Sequence, residues 1–275
     1  MKIKKNIENL MIEKITGLSQ NQLFLNDFKL SDLNKIELEK LKKRFFNWEP
    51  IEYIVEKAEF YGLDFFVDSR VLIPRNDTEI MVEQVLEYIP ENTILIDIWT
   101  GSSCIPISIL KNINKLDEWR ILNTYVIDIS KKALEVSKIN IEKYKLEDKI
   151  IQINSNLLEK NPHLASPEGE EYKNIIITAN LPYIKNWDFE NMDKETIEFE
   201  PDLALYWWEK TGFELYEKLI FQVIEFKKDT NNIILFIEIW FYQKKIATKF
   251  LEKQNLQFEI FKDNGGVDRC IKIYF

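Results

Sequence analysis

The spacing of hydrophobic positions changes along the chain. Over residues 1–46, Leu and Ile recur three to four positions apart among Lys, Glu and Asn, with almost no Gly or Pro. This spacing predicts helices. From Ala58 to Ile73 aromatic and polar residues alternate, and Pro74 ends the stretch. Alternation of this kind predicts a short hairpin or an extended connector.

Strand and helix patterns alternate in the rest of the chain. A helix is expected over Glu79–Tyr88, with Asp77 or Thr78 as its N-cap. The strands expected after it have the sequences TILIDI, TYVIDI, IIQIN, NIIITA, NIILFIEI, QFEIF and RCIKIYF. Regular alternation predicts a parallel sheet with helices on both faces, and the last two strands, joined through KDNGGVD, predict an antiparallel hairpin.

These patterns predict an α/β protein with a doubly wound, mostly parallel seven-stranded sheet. We divide the chain into a helical N-terminal domain (1–50), a hairpin linker (51–76) and a sheet domain (77–275). In open parallel sheets, ligands bind outside the carboxyl ends of the strands. Polar residues at these ends are therefore the first candidates for a site.

Composition and charge exclude several classes of protein. The chain has 275 residues, 45% of them hydrophobic and 30% charged, which is typical of a globular protein in the cytoplasm. Its longest apolar runs are far shorter than the ~20 residues of a membrane-spanning helix. A net charge of −9 argues against non-specific nucleic-acid binding. Cys104 and Cys270 lie in apolar stretches and the single histidine is His163, so neither a disulfide framework nor a metal cluster is expected.

Four of the expected strands end in polar residues. These ends hold Asp97 with Thr100 and Gly101, then Asp128, then residues 154–157, and then residues 180–183. Asp128 lies 27 residues beyond Gly101, at the end of the second strand, where an acid can accept hydrogen bonds from ribose hydroxyls. The alternative is that Asp128 only helps to cap the helix that begins near Ser130.

The tetrapeptide NLPY at the end of the fourth strand carries the most chemistry. Asn180 offers a carbonyl oxygen to a substrate N–H, Pro182 stiffens the turn, and the ring of Tyr183 can lie against a cation. Methyl transfer to a planar nitrogen needs such an arrangement, because its lone pair is conjugated and the nitrogen must be aimed. An ordinary turn with a packed tyrosine is the alternative, which the position at a strand end disfavours.

From about Glu49 to Phe275 the chain resembles the peptide chain release factor glutamine methyltransferases, a family of class I S-adenosylmethionine-dependent methyltransferases. DIWTGSSCIPIS resembles the family's cofactor loop, VIDISKKALEVSKIN its ribose-binding segment, and NLPYI its NPPYI motif. EFYGLDFFVDSRVLIPRNDTE, EFEPDLAL and KDNGGVDRCI match further family stretches.

The resemblance implies methyl transfer from S-adenosylmethionine to the side-chain amide of the glutamine in the GGQ motif of class 1 release factors. The implied cofactor-binding residues are Asp97, Thr100, Gly101, Asp128, Asn156, Leu157 and Asn180. The implied substrate-binding residues are Asn180, Leu181, Pro182 and Tyr183, three of them catalytic (Asn180, Pro182 and Tyr183), together with Arg75 and Glu79. The N-terminal helices would engage the release factor, and the enzyme is expected to be a cytoplasmic monomer without stable nucleic-acid or membrane binding.

Three departures from the family pattern keep alternatives open. Leu181 replaces the first proline of NPPY, and NLPY resembles the adenine-dimethylating enzymes of ribosomal RNA. An adenine-N6 methyltransferase acting on RNA or DNA is therefore the alternative activity. Asn156 stands where an acid is common, and Asn76 replaces a proline.

Tryptophan and glycine counts are unusual together. The chain has 7 Trp and only 7 Gly, and a typical glycine usage of about 7% predicts roughly a dozen more. Trp48, Trp99, Trp207, Trp208 and Trp240 all align with family glycines. We hypothesise that a codon for glycine in the source organism was read as tryptophan. The rival interpretation is a catalytically impaired homologue, plugged by aromatic side chains, that acts as a binding module.

Overall fold

The protein is described by a computed structural model. The described residues are 3–19, 21–22, 29–113, 121–160, 174–182, 198–205, 211–227 and 232–275. Within this part of the chain, none of the helices combines the length and the apolar character needed to cross a membrane.

The described N-terminal segment contains the helices α1 (Lys5–Thr16), α2 (Asp32–Phe46) and α3 (Ile51–Val55). Ser31 caps α2, because its hydroxyl accepts a hydrogen bond from the backbone N–H of Asn34 at 3.1 Å. These helices contribute a small apolar cluster of four buried side chains, Met11, Leu38, Leu41 and Ile54. The helical prediction is confirmed for α1 and α2, whereas α3 lies in the range predicted as a hairpin linker, and a separate N-terminal domain stays a prediction.

The expected hairpin is present. Strands β1 (Ala58–Phe60) and β2 (Leu63–Phe65) pair antiparallel. Phe60 and Phe65 are fully buried in the same apolar cluster as helices of the sheet domain. The hairpin therefore packs onto the main core.

Helix α4 (Glu79–Tyr88) has the predicted bounds, and Thr78 occupies its N-cap position as predicted. A short 3₁₀ turn, Asn76–Thr78, leads into α4, and Thr78 makes no capping hydrogen bond with its side chain. The Thr78 hydroxyl instead accepts a hydrogen bond from Asn180, and the carboxylate of Asp77 pairs with Arg269 at 3.0 Å. Both side chains are committed to tertiary contacts.

Seven strands of the described chain form the main sheet. They are β3 (Thr93–Ile98), β4 (Ile121–Asp128), β5 (Ile150–Asn154), β6 (Asn174–Ala179), β7 (Asn232–Glu238), β8 (Gln257–Lys262) and β9 (Asp268–Tyr274). Their order is β5-β4-β3-β6-β7-β9-β8, and β9 runs antiparallel to the other six strands. The predicted seven-stranded, mostly parallel sheet is confirmed. The strand order reverses at β3, so a ligand is expected beside its carboxyl end.

Helices cover both faces of this sheet. They are α4, α5 (Cys104–Asn112), α6 (Lys131–Tyr144), α8 (Glu214–Phe226) and α9 (Lys244–Lys253), and a short helix, α7 (Asp202–Leu205), precedes α8 in the chain. Strand β3 is buried along its whole length, and Leu95 packs in a different apolar cluster from Ile94 and Ile96. Because successive side chains of a strand point to opposite faces, the sheet is covered on both sides.

Candidate active site

Asp97 is the last residue but one of β3 and is almost inaccessible to solvent. The hydroxyl of Thr178, on the neighbouring strand β6, donates a 2.6 Å hydrogen bond to Asp97 Oδ1. Oδ2 of Asp97 is buried and has no hydrogen-bond partner in the described part of the chain. Burial raises the pKa of Asp97 to about 7, and the side-chain hydroxyls of Thr100 and Thr178 oppose that shift. An orphaned carboxylate oxygen of this kind suits a cationic or N–H donor.

The loop after β3 turns sharply at Gly101. Its φ is +53°, and a Cβ placed there would meet no atom within 4 Å, so the space beside the backbone is open. The Gly101 N–H donates a 3.0 Å hydrogen bond to Asp128 Oδ2. Thr100 is tied to the next strand through its N–H, which donates to the carbonyl of Ile127 at 3.1 Å. The loop is held against the end of β4.

Asp128 braces two backbone segments with its two carboxylate oxygens. Oδ2 accepts from Gly101, and Oδ1 accepts from the N–H of Ser130 at 2.8 Å. The capping of α6 belongs to Ser130, whose hydroxyl accepts from the N–H of Ala133 at 3.2 Å. Burial raises the pKa of Asp128 to about 6, and the two N–H donors oppose the shift. Each carboxylate oxygen keeps acceptor capacity for a hydroxyl of a ligand.

A buried polar network under the loop was missed by sequence reasoning. The Ser103 hydroxyl bonds to those of Thr100 at 3.0 Å and Ser137 at 2.6 Å, and Gln152 donates to Ser137 at 2.9 Å. Serines are common in helices and loops for other reasons, so no sequence signal distinguishes this network. These hydrogen bonds connect the loop to α6 and β5 and thereby fix its backbone.

Asn140 is a second missed residue that holds the loop. Its side chain is fully buried and makes three hydrogen bonds. Nδ2 donates to the carbonyls of Ser102 and Phe66, both at 3.0 Å, and Oδ1 accepts from the N–H of Phe66 at 2.7 Å. Asn140 thereby fastens the linker to the cofactor loop.

Asn180, at the end of β6, is oriented by Thr78. Nδ2 of Asn180 donates to the Thr78 hydroxyl at 3.3 Å. No described residue donates to Oδ1 of Asn180, so the carbonyl end of the amide is left to a ligand. Thr78 is thus a site residue that sequence reasoning had assigned to capping.

Leu181 and Pro182 are buried behind Asn180. The Leu181 side chain is 1% exposed and packs in the apolar cluster that contains Tyr216 of α8. The Leu181 N–H donates to the Tyr216 hydroxyl at 3.0 Å. Leucine at this position therefore has a structural reason, which is burial in the core. Tyr183 lies outside the described residues.

A cavity of about 90 Å³ lies between the cofactor loop, the linker and the segment before α7. Its walls bring together five of the predicted site residues: Arg75, Thr100, Gly101, Asp128 and Asn180. Asn156 and Leu157 follow β5 and are not part of its lining, and neither is Glu79, whose carboxylate accepts from the N–H of Tyr61 at 2.8 Å.

Trp99 lines the same cavity and has a φ of +59°. Trp48 has a φ of +68°, whereas Trp240 does not have a positive φ, and Trp207 and Trp208 lie outside the described residues. Positive φ is an outlier for a bulky side chain and is ordinary for glycine. The cavity is also smaller than the ~300–1,000 Å³ of typical ligand pockets. These observations support the glycine hypothesis at positions 48 and 99.

Apart from Trp99, the residues fit S-adenosylmethionine. Asp97 offers an orphaned buried acceptor, Gly101 leaves open space beside the backbone, and Asp128 presents acceptors at the end of β4. This strand order, with the loop at the switch point, defines a class I S-adenosylmethionine-dependent methyltransferase.

Comparison with known proteins identifies the family. No protein-family model matches the chain. The chain is 30% identical to the release factor glutamine methyltransferase of Flavobacterium psychrophilum, over 99% of this chain and 93% of that protein. It is 36% identical to the enzyme of that name from Clostridium acetobutylicum, over 81% of this chain and 74% of that one. The chain belongs to the release factor glutamine methyltransferase family, as the motifs predicted.

Two further similarities are more limited. The bifunctional methyltransferase of Rickettsia conorii is 31% identical over 95% of this chain, which spans 52% of that protein. The catalytic domain of human METTL16, solved in complex with an RNA hairpin of the MAT2A 3′UTR, superposes with a TM-score of 0.55 at 16% identity. That superposition covers 79% of this chain and 75% of the METTL16 chain. At this identity the similarity shows the fold alone.

Proposed function

We propose that this enzyme methylates the side-chain amide nitrogen of the glutamine in the GGQ motif of class 1 release factors. The observation that carries the proposal is the orientation of Asn180. Nδ2 of Asn180 donates to the Thr78 hydroxyl. The carbonyl oxygen of Asn180 is left for a substrate N–H at the cavity, which Gly101 and Asp128 also line.

Different residues of the site bind the cofactor and the substrate. S-adenosylmethionine supplies an electrophilic methyl carbon when it is bound. Asp97 and Gly101 would hold its methionine portion, Asp128 would hold its ribose, and Asn156 with Leu157 would lie near its adenine. Asn180 accepts a hydrogen bond from the glutamine N–H and aims the nitrogen, whose conjugated lone pair makes it a weak nucleophile that depends on orientation. Pro182 limits the movement of Asn180, and Tyr183 and Glu79 complete the substrate side.

The remaining expectations are part of the same proposal. The helices before residue 50 engage the release factor, and the enzyme works as a cytoplasmic monomer without stable nucleic-acid binding. Deletion of residues 1–50 is expected to weaken methylation of an intact release factor far more than cofactor binding. Equal loss of both would place these helices in the core of the enzyme.

The decisive experiment measures methyl transfer to a purified unmethylated release factor and to ribosomal RNA in parallel. It uses the present chain and a variant with glycine at positions 48, 99, 207, 208 and 240. Methylation of the release factor glutamine, located by peptide mass spectrometry, is expected. Methylation of adenine in the RNA alone would establish the alternative activity, and inactivity of both chains despite correct folding would favour a binding module.

A further inference from the structure

A buried carboxylate lies just before α7. The Glu200 side chain is 2% exposed, and its Oε1 accepts a 2.5 Å hydrogen bond from Nη2 of Arg75. Oε2 is also buried and has no hydrogen-bond partner in the described part of the chain. Burial raises the pKa of Glu200, and the guanidinium of Arg75 opposes that shift. Arg75 is therefore the partner that makes an ionised Glu200 tolerable at this depth.

Arg75 itself reaches the cavity. It lines the cavity wall, and its side chain is 41% exposed. Other described arginines have their donors filled more completely. Arg70, for example, bonds to both carboxylate oxygens of Asp68 and also to Glu135. Among the described residues, the Arg75 side chain donates one hydrogen bond, to one carboxylate oxygen, so most of its five N–H donors remain for a ligand.

The charge of the pair indicates the kind of ligand. Glu200 neutralises Arg75, so the free donors suit an uncharged acceptor better than a phosphate or a carboxylate. A protein substrate presents such acceptors as backbone carbonyls. Asn180 lines the same cavity, so a carbonyl bound by Arg75 belongs to a residue near the acceptor glutamine.

We propose that Glu200 is a positioning residue, which aims the Arg75 guanidinium at a backbone carbonyl of the protein substrate beside the acceptor glutamine. This inference rests on the proposed function. A buried ion pair is a costly way to tie two segments together, because well-packed apolar residues often stabilise as well or better. The Glu200 carboxylate can orient the Arg75 guanidinium by a hydrogen bond, which an apolar side chain cannot do.

The test is a titration of the full chain with unmethylated release factor in the absence of cofactor, together with titrations of S-adenosylmethionine and thermal melts. Glu200→Leu and Arg75→Lys are each expected to raise the Kd for release factor about tenfold, as loss of a hydrogen bond to a charged group predicts. The double variant should be no weaker than either single variant. Glu200→Gln keeps one acceptor for Arg75 and should give an intermediate Kd.

Glu135→Gln is the matched control, since it removes a carboxylate from Arg70, another arginine of the cavity wall. It should leave the Kd for release factor within twofold of the parent. If the Glu200 variants bind release factor like the parent, or lose cofactor and release factor affinity equally, the inference is wrong. Failure to bind release factor by both the parent chain and the variant with glycine at positions 48, 99, 207, 208 and 240 would instead overturn the proposed function. If Glu200→Leu does not fold, Glu200→Gln alone decides, and a Kd equal to that of the parent overturns the inference.

Discussion

The hydroxyl of Tyr216 is hydrogen-bonded to the backbone of Leu181 on both sides, accepting from its N–H at 3.0 Å and donating to its carbonyl at 3.4 Å. Tyr216 is fully buried, and burial raises its pKa well above the ordinary value, so the hydroxyl stays protonated. One side chain of α8 thereby fixes the residue that follows Asn180.

Replacement of Tyr216 by Phe should loosen this turn. The Leu181 N–H would be left buried without a partner, which costs about 1–3 kcal/mol in the free energy of unfolding. Displacement of Asn180 should lower turnover by up to about 100-fold, with little change in cofactor affinity. Denaturant unfolding and steady-state kinetics measure the two effects. Tyr274→Phe removes a hydroxyl that bonds to the exposed Glu259, and it should change neither. Unchanged turnover in Tyr216→Phe would show that the turn holds without this bond.

Asn180→Ala removes the carbonyl that we assign to the substrate N–H. Turnover should fall by roughly two to four orders of magnitude while the Kd for S-adenosylmethionine stays nearly constant. Thr78→Val removes only the acceptor that orients Asn180 and should reduce turnover about tenfold. Single-turnover kinetics and calorimetry separate these quantities. Full activity in Asn180→Ala would exclude Asn180 from the mechanism.

Asp97 should make stability depend on pH. Its pKa is about 7 in the folded protein and about 3.9 in an unfolded chain, so between these values the folded state binds the extra proton. Stability contributed by this group therefore falls as pH rises through that window. The melting temperature of Asp97→Asn relative to the parent should rise from pH 4 to pH 8. Asp32→Asn, at an exposed site, should track the parent across the same range. A constant difference between Asp97→Asn and the parent would mean that the carboxyl does not titrate there.

Trp99→Gly should improve cofactor binding. The substitution relieves a positive φ and removes an indole from the cavity wall, so the Kd for S-adenosylmethionine should fall by at least about tenfold. Trp48→Gly is the matched control, because position 48 also has positive φ but is exposed after α2. It should raise stability by about 1 kcal/mol without changing the Kd. Tight cofactor binding by the present chain that Trp99→Gly fails to improve would make the indole part of the pocket.

Local patterns determined the elements and the class of fold. The alternation of apolar residues placed β3 at Thr93–Ile98 and α4 at Glu79–Tyr88, and the structure has the same bounds. Strand and helix periodicity is a property of neighbouring residues, so it can be read without knowledge of the chain path. Polar residues at strand ends were also predictable as a group, because parallel strands deliver their carboxyl ends to one edge of the sheet.

Only the tertiary structure decided which side chains orient the residues of the site. Thr78 meets Asn180 across 102 positions of sequence, Tyr216 meets Leu181 across 35, and Glu200 meets Arg75 across 125. None of these residues lies in a local pattern that predicts its partner, and the pattern around Thr78 is typical of a helix cap. A hydrogen bond depends on atoms placed within a few tenths of an ångström, which the packing of the whole chain sets. Hydrophobic spacing determines the scaffold because burial is non-directional, whereas the directional contacts of the site exist only once the scaffold has folded.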